Sequence, residues 1–343
     1  MALISDLRAH LLRLYTSFTT TNTAVSTPAT VKGEPSKCRY RLDNDCSDTF
    51  TLPDGRKLGY AQYGLQTGRP ILYLHGIPGS RIEAAQFHDL GLKLGARIIG
   101  ADRPGIGWSS PHPSRILLDF PKDLELLAKH LELDEYAVLG ISGGGPYALA
   151  CAVSLPREKL KCVSIVCGLG PPDIGMSGAR WLNWLGFTLG YRYAPSWANR
   201  WFWQRQPIGR LDLTDEKRLE LLLQSASGSI GAHEKDLEVM KDEDFLRLIL
   251  RSTRESFAQG YDGIGQDGKV MCMDYGFRIE DIRADLPVQL WYAKHDVFVP
   301  LNHGKQIAAR LGGRGHLRVE DETHSSIVVN WRKEILEDLV RSA

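Results

Sequence analysis

A serine flanked by glycines is the feature of this sequence that could most directly perform chemistry. The segment Gly140–Gly144 (GISGG) follows the apolar run Tyr136–Leu139 and precedes the helix-like run Pro146–Val153. A serine between a strand and a helix, in a turn that only glycines fit, has its hydroxyl held clear of the backbone. It also lies at a helix N-terminus, which stabilises nearby negative charge. This context predicts that Ser142 is a nucleophile rather than part of a glycine-rich packing turn.

A serine hydroxyl needs a base to take its proton and an acid to orient that base. Asp296 follows the apolar run Pro287–Tyr292, and His324 follows the next one, His316–Val319. The carboxyl ends of parallel strands open on one edge of a sheet, so we expect these two residues to converge on Ser142. The alternatives are a surface loop for the histidine and a helix N-cap for the aspartate. His295, His303 and His316 also compete for the base, but they lie before or within predicted elements.

Two further loops are predicted at the same edge. Residues 75–80 (HGIPGS) follow the apolar run Ile71–Leu74, and their backbone could place the N–H groups of Ile77 and Gly143 around an oxyanion. The alternative is a turn that only connects a strand to a helix. Residues 102–110 (DRPGIGWSS) are glycine-rich but lack the lysine of a phosphate-binding loop. We interpret them as a structural loop in which Trp108 contacts substrate.

The elements that must position these residues form an α/β pattern. Asp48–Leu52 and Arg56–Tyr63 predict a β-hairpin around Pro53-Asp54-Gly55. Short apolar runs without alternation then recur, separated by helical segments such as Asp119–Leu133, and they predict a parallel sheet covered on both faces. These runs are Ile71–Leu74, Arg97–Ala101, Tyr136–Ile141, Lys161–Cys167, Pro287–Tyr292 and His316–Val319.

A helical insertion interrupts the strand pattern at residues 171–285. It contains five of the eight tryptophans and helix-like runs such as Asp244–Ala258. We predict a core at 46–170 and 286–343, with the insertion as a tryptophan-rich cap. The candidates for an apolar roof over the site are Trp181, Trp184, Trp197, Trp201 and Trp203, and plain packing is the alternative for most of them. Residues 1–45 are predicted as a leader with a short helix, which faintly resembles a mitochondrial presequence.

Composition excludes several classes of function. Lys+Arg number 42 and Asp+Glu 41, so a net charge of +1 gives the whole chain no electrostatic signal for nucleic acid or an anionic membrane. The uncharged stretch Tyr136–Pro156 is interrupted by Gly-Gly-Gly-Pro, so no integral membrane segment is predicted. The six cysteines form no C-x-x-C pair and have no histidine partner at zinc-ligand spacing. We therefore expect no metal and a reducing compartment, the cytoplasm, with mitochondrial targeting as the alternative.

The motifs HGIPGS, DRPGIGWSS and GISGGGPYALA resemble those of the α/β-hydrolase superfamily, from about Asp48 to the chain end. They are similar to capped serine hydrolases related to esterases, proline iminopeptidases and epoxide hydrolases. The resemblance implies an eight-stranded, mostly parallel sheet with a cap after the sixth strand. Epoxide hydrolases carry Asp where Ser142 stands. Proline iminopeptidases typically have a second glycine where Ile77 stands and a tryptophan after the nucleophile, and this chain has neither.

The sequence thus predicts a cofactor-independent serine hydrolase of a small hydrophobic ester or lactone. Ser142, His324 and Asp296 would act as nucleophile, base and acid, with the N–H groups of Ile77 and Gly143 as the oxyanion hole and Trp108, Trp181, Trp184 and Trp201 as candidate substrate contacts. Some superfamily members take the acid from after the sixth strand, so Asp173 competes with Asp296. An amide or peptide hydrolase and a non-catalytic binding protein of the same fold are the alternative functions.

Overall fold

A computed structural model of the chain describes residues 38–227 and 233–342. Most of the predicted leader therefore lies outside the described residues. Its predicted end, residues 38–45, belongs structurally to the body of the protein. Tyr40 is buried in a core cluster with Leu42 beside it, and Arg39 forms an ion pair with Asp242. The aromatic ring of Tyr40 gives this segment apolar surface that packs against the core.

The described residues contain one eight-stranded sheet in the order β1-β2-β4-β3-β5-β6-β7-β8. The strands are β1 Ser47–Thr51, β2 Lys57–Gly64, β3 Arg69–Leu74, β4 Ala96–Ala101, β5 Tyr136–Ile141, β6 Leu160–Val166, β7 Val288–Ala293 and β8 Gly315–Glu320. β1 and β2 form the predicted hairpin, and β2 pairs with β4 in antiparallel orientation. All later pairings are parallel, which confirms the predicted fold class.

Helices cover both faces of the sheet. They are α1 His88–Leu94, α2 Asp119–His130, α3 Gly145–Ser154, then after the insertion α11 Asn302–Arg310, α12 His324–Asn330 and α13 Arg332–Ser342. The central strands β5 and β6 are almost completely buried because apolar side chains leave both of their faces. One large apolar cluster lies on each face of the sheet, so burial on both sides explains why the strand sequences do not alternate.

The segment between β6 and β7 is helical throughout its described elements. It contains α4 Trp181–Leu185, a π-helical turn Gly186–Gly190, α5 Tyr191–Tyr193, α6 Ser196–Trp203, α7 Asp215–Ser227, α8 Glu234–Val239, α9 Glu243–Ser256 and α10 Asp262–Cys272. α9 covers most of the predicted helix-like run Asp244–Ala258, and Leu246, Leu250 and the following Phe257 are all buried. Short 3-10 turns at Pro172–Ile174, Pro207–Gly209 and Ile279–Asp281 connect these helices to one another and to the sheet.

The topology brings the predicted functional loops to one edge. The loops after β3, β5, β7 and β8 all leave the carboxyl ends of parallel strands, and they carry Ile77, Ser142, Asp296 and His324 respectively. In an open α/β sheet this edge is where ligands bind. No helix among residues 38–227 and 233–342 combines the length and apolar character needed to cross a bilayer.

Candidate active site

Ser142 occupies the sharp turn between β5 and α3 that its sequence context predicts. Its φ of +54° lies in the left-handed region, which a non-glycine residue adopts only at some cost. The glycines around it allow the close approach of neighbouring backbone. A Cβ atom on Gly140 would lie 2.6 Å from the Gly144 carbonyl oxygen and 2.7 Å from the Cβ of Ala148. The turn therefore requires small residues on both sides of the serine, which is the physical reason for the GISGG pattern.

The structure brings together the three residues predicted as nucleophile, base and acid. The Nε2 atom of His324 lies 3.0 Å from the Ser142 Oγ, and its Nδ1 lies 2.6 Å from the Asp296 Oδ2. The other carboxylate oxygen of Asp296 accepts hydrogen bonds from the backbone N–H groups of Phe298 and Val299, each at 2.8 Å. These two bonds fix the carboxylate, so the imidazole is oriented by a rigid acceptor.

The charge of Asp296 decides the protonation of the imidazole. Burial disfavours the charged form of His324, but the nearby carboxylate of Asp296 outweighs burial and raises the pKa of His324 above its ordinary value. Glu83 and Asp236 act in the same direction at longer range. Because Asp296 accepts at Nδ1, the neutral ring carries its proton there and leaves Nε2 free to accept from Ser142.

The two backbone groups predicted to bind an oxyanion are neighbours. A Cβ atom on Gly143 would lie 3.1 Å from the backbone nitrogen of Ile77. The carbonyl preceding the Gly143 nitrogen, that of Ser142, accepts a hydrogen bond of 3.1 Å from the backbone N–H of Leu169. A trans peptide directs its N–H opposite to its carbonyl, so this bond fixes the direction of the Gly143 N–H.

Sequence reasoning missed a buried arginine that fixes the other backbone group. Arg103 donates to the carbonyls of His75 and Gly76, at 2.6 and 2.8 Å, and pairs with Asp267 of α10 at 2.7 Å. The Gly76 carbonyl belongs to the same peptide unit as the Ile77 N–H and points the opposite way. The motif DRPG contains Arg103, but no sequence signal connects it to an aspartate 164 residues later.

The carboxylate of Glu83 is a second residue that the sequence did not single out. It accepts from the Tyr73 hydroxyl at 2.6 Å and from the backbone N–H of Gly76 at 3.2 Å. Burial raises the pKa of Glu83, although these hydrogen bonds oppose the shift. Gly76 is therefore held on both sides, through its N–H by Glu83 and through its carbonyl by Arg103.

The aromatic candidates lie in two different environments. Trp108 packs over the guanidinium of Arg81, whose central carbon lies 4.0 Å from the ring centroid, and its backbone N–H donates to Asp102. Of the five insertion tryptophans, only Trp203 is buried. Trp181, Trp184, Trp197 and Trp201 expose between 44% and 69% of their surface, so the structure does not show them as packing residues. Their contact with substrate stays a prediction.

The competing acid and two of the competing histidines have other partners. Asp173 pairs with Arg310 on the surface, and the lowered pKa of Asp173 follows from that pairing. His295 contacts Asp321 at 2.9 Å. His303 is buried and its Nδ1 accepts from the backbone N–H of Gly170, while burial lowers its pKa to about 4.

One group of side chains has the composition of a metal site. Single ligand atoms of Cys167, Asp296 and His324 lie within 4.8 Å of one another. Burial and the Asp296 carboxylate raise the pKa of the Cys167 thiol well above its usual value. At neutral pH the free thiol is therefore protonated. The hydrogen bond between Asp296 and His324 accounts for their proximity.

A small cavity of about 90 Å³ lies near the serine turn, although Ser142, Asp296 and His324 are not among its lining residues. It is lined by Leu169, whose N–H binds the Ser142 carbonyl, and by apolar residues of the insertion including Met176, Phe187 and Met271. His303 and Arg192 add polar groups to its wall. The cavity is thus mainly apolar and shares residue Leu169 with the serine turn.

The family model described as alpha/beta hydrolase fold matches residues 69–330. The chain belongs to the α/β-hydrolase fold family. Among curated proteins, a proline iminopeptidase from Xylella fastidiosa is 34% identical over 117 residues, which are 33% of this chain and 36% of that protein. The match thus spans about a third of the relative's length. The family match, by contrast, covers residues 69–330, which is most of this chain.

Solved structures show the same fold at low sequence identity. The esterase EaEST from Exiguobacterium antarcticum is 19% identical, with a TM-score of 0.58 over 86% of this chain and 99% of that one. Est816, described as an N-acyl homoserine lactone degrading enzyme, is 18% identical, with a TM-score of 0.56 over 85% of this chain and 98% of that one. At these identities the likeness shows the architecture alone.

Asp296→Asn should lower turnover of an ester about 10⁴-fold with little change in thermal stability, because an amide cannot hold the imidazole in the required tautomer. Asp173→Asn is the matched control, since it makes the same chemical change in a carboxylate paired with Arg310. Steady-state kinetics of the two purified variants check the assignment. A larger loss in Asp173→Asn would give the acid role to that residue.

The pH profile should report the raised pKa of His324. The ring must be neutral to accept a proton, so activity is lost as the pH falls through its pKa, and the acid limb should lie above the ordinary value of 6.5. Asp296→Asn removes the negative charge that raises the pKa of His324. The acid limb of the residual activity should therefore move to lower pH. The measurement is kcat/KM against pH on a substrate without titrating groups, and an unmoved limb would contradict the assignment.

Proposed function

We propose that the protein is a serine hydrolase that cleaves an ester or lactone by acyl transfer. The observation that carries the proposal is the hydrogen-bonded chain from the Ser142 Oγ through His324 to Asp296. This order of groups can activate a serine hydroxyl, because the base accepts the proton and the carboxylate stabilises the imidazolium that forms. Membership of the α/β-hydrolase fold family supports a hydrolase.

The reaction follows from these positions. Ser142 Oγ attacks the substrate carbonyl while its proton moves to the His324 Nε2, and a tetrahedral oxyanion forms. His324 then gives the proton to the leaving alkoxide oxygen, which departs as an alcohol and leaves an acyl-serine. Water attacks the acyl-serine by the same route, its proton passing through His324, and releases the acid with the free enzyme.

The oxyanion would be bound by the N–H groups of Ile77 and Gly143. Each N–H belongs to a peptide unit whose carbonyl accepts a hydrogen bond on the opposite side. The Gly76 carbonyl accepts from Arg103, and the Ser142 carbonyl accepts from the Leu169 N–H. Preorganised donors of this kind stabilise the charge that develops in the transition state. The cation on the Gly76 carbonyl also polarises that peptide unit, which makes the Ile77 N–H a stronger donor.

The substrate would be small and hydrophobic. Apolar residues dominate the wall of the cavity next to the serine turn, and the helical insertion supplies several of them. We assign the insertion, residues 171–285, the role of a cap that excludes water and selects the acyl or alcohol portion. No cofactor is needed for this chemistry, and the cytoplasm remains the compartment that the cysteine pattern favours.

A peptide or amide hydrolase is the second candidate, and the partial match to proline iminopeptidases favours it. Ile77 and Gly143 depart from the motif of that group, which supports the ester reading instead. A non-catalytic binding protein of this fold would not require the short contacts of His324 with both Ser142 and Asp296.

The first experiment compares Ser142→Ala with the native protein. The substrates are p-nitrophenyl esters of increasing acyl chain length and, as the amide counterpart, the p-nitroanilide of proline. We expect the native protein to prefer the esters and to react with a fluorophosphonate. Loss of the nucleophile should remove about 10⁴-fold or more of the turnover. Turnover retained in the alanine variant would refute the serine mechanism, a preference for the amide would favour the second candidate, and no reaction of the native protein would favour a binding protein.

Arg103→Lys should lower kcat about 10- to 100-fold with little change in KM, because lysine cannot hold both carbonyls and Asp267 at once. Arg115→Lys is the matched control. Arg115 also pairs with buried Asp267, at 3.0 Å, but it donates to the Pro104 carbonyl instead of the oxyanion loop. If both variants lost kcat equally, and in proportion to the fall in their unfolding temperatures, Arg103 would have only a structural role.

A further inference from the structure

Part of the helical insertion is apolar all round although it lies at the surface. α4, the π-helical turn and α5 form one continuous helical run over residues 181–193, WLNWLGFTLGYRY. Apart from glycine, apolar and aromatic residues, it contains only Asn183, Thr188 and Arg192. A helix that is hydrophobic all round is normally buried. The run therefore exposes apolar side chains to solvent, and it has few polar side chains beside them.

The two sides of the run have different neighbours. Phe187 and Tyr191 point inward, with ring centroids 5.4 Å apart, and Tyr191 packs in the cluster that also contains Ile77. Other apolar side chains of the run are exposed, and so are two on α6, which follows after an extended break at Ala194-Pro195. We call the following set the outer apolar stripe; its members, each 40% to 69% exposed, are Leu182, Leu185, Leu189, Tyr193, Trp197 and Trp201. The four members on the run are three or four residues apart, and the two on α6 are four apart, which places each set on one side of its own helix.

The same part of the chain has no acidic residue. Residues 174–211 contain five arginines and neither Asp nor Glu. Arg200 and Arg210 pair with acidic residues outside this acid-free stretch, Asp262 and Asp212. Within the described ranges, no carboxylate is within ion-pair distance of the other three, which are Arg180, Arg192 and Arg205. The guanidinium carbon of Arg205 instead lies 4.3 Å from the ring centroid of Trp201, in the stripe itself.

We propose that the outer apolar stripe docks the protein onto an anionic lipid surface. Tryptophan and tyrosine favour the headgroup level of a bilayer, where the apolar part of the ring is buried and the polar atom stays hydrated. Arginine side chains beside them can reach the phosphates, and basic residues strengthen binding to anionic lipid. The run would lie in the interface and not cross it, which is the behaviour of a surface-bound amphipathic segment.

A second copy of the chain is the competing occupant of this surface. A two-fold dimer would pair the stripe with itself, so arginines of one copy would face arginines of the other. No acidic residue within the stretch is available to offset that repulsion. An anionic surface complements the same charges, which is why the lipid is the better fit.

Docking would have a consequence for the candidate active site. On the inner side of the same run, Tyr191 packs against the apolar cluster that contains Trp203 and Phe257, and Ile77 packs against that cluster too. The bilayer would then lie against the outer face of the segment that covers the site. This consequence depends on the proposed function, whereas the docking itself does not, so the two can fail separately.

The test is co-sedimentation of the full-length protein with vesicles of phosphatidylcholine alone and of phosphatidylcholine mixed with phosphatidylserine. The native protein should bind the mixed vesicles and lose binding as salt is added. The double variant Tyr193→Glu, Trp197→Glu removes the two most exposed members of the stripe and should bind at least about tenfold less. Leu92→Glu, an exposed leucine on α1, is the control for added charge and should bind like the native protein.

Three results would overturn the docking proposal. One is a native protein that does not sediment with the mixed vesicles, and another is a folded double variant, judged by its unfolding temperature, that binds as well as the native protein. The third is a native dimer, measured by light scattering, that the double variant converts to monomers. Ser142→Ala should bind vesicles normally, so loss of hydrolysis and loss of docking are read independently.

Discussion

The ion pair between Arg103 and Asp267 is the interaction on which the arrangement of the site depends. Both side chains are fully buried, one in the loop after β4 and the other in α10 of the insertion. Burial alone would raise the pKa of Asp267, but Arg103 and Arg115 outweigh it and hold that pKa below its usual range. Removing one partner of such a buried pair costs about 3–5 kcal/mol. The insertion is therefore bound to the sheet through charges that cannot separate without large loss of stability.

This pair also sets the direction of a backbone amide. The guanidinium that meets Asp267 donates to the carbonyls of His75 and Gly76, and the peptide unit of Gly76 carries the Ile77 N–H on its far side. The equivalent bond behind Gly143 comes from a neutral backbone N–H, that of Leu169. A charged donor polarises a peptide unit more strongly than a neutral one. The two amides proposed for the oxyanion are therefore unequal donors, and the insertion controls the stronger one.

The sequence was informative where one local pattern determines one local structure. The continuous apolar runs predicted strands such as β5 because a strand buried on both faces has no polar positions, and strand ends then located Ser142, Asp296 and His324. The Arg103–Asp267 pair could not be predicted, since its partners are 164 residues apart and the motif that contains Arg103 gives no sign of Asp267. The exposure of four of the insertion's tryptophans could not be predicted for another reason. Hydrophobicity indicates which side chains avoid water but not whether the fold has another layer to cover them.

The net charge of +1 likewise does not reveal where charges are concentrated on the surface. A sum over 343 residues gives no sign of an acid-free stretch, because acidic residues elsewhere cancel its five arginines. What a surface or ligand meets is the local field, which decays within about 8–10 Å at physiological salt. The helical run 181–193 has exposed apolar side chains and one of these arginines, Arg192, while Tyr191 on its inner side packs against the same cluster as Ile77. The two proposals thus assign different roles to the two sides of one short helical run, because the surroundings of those sides differ.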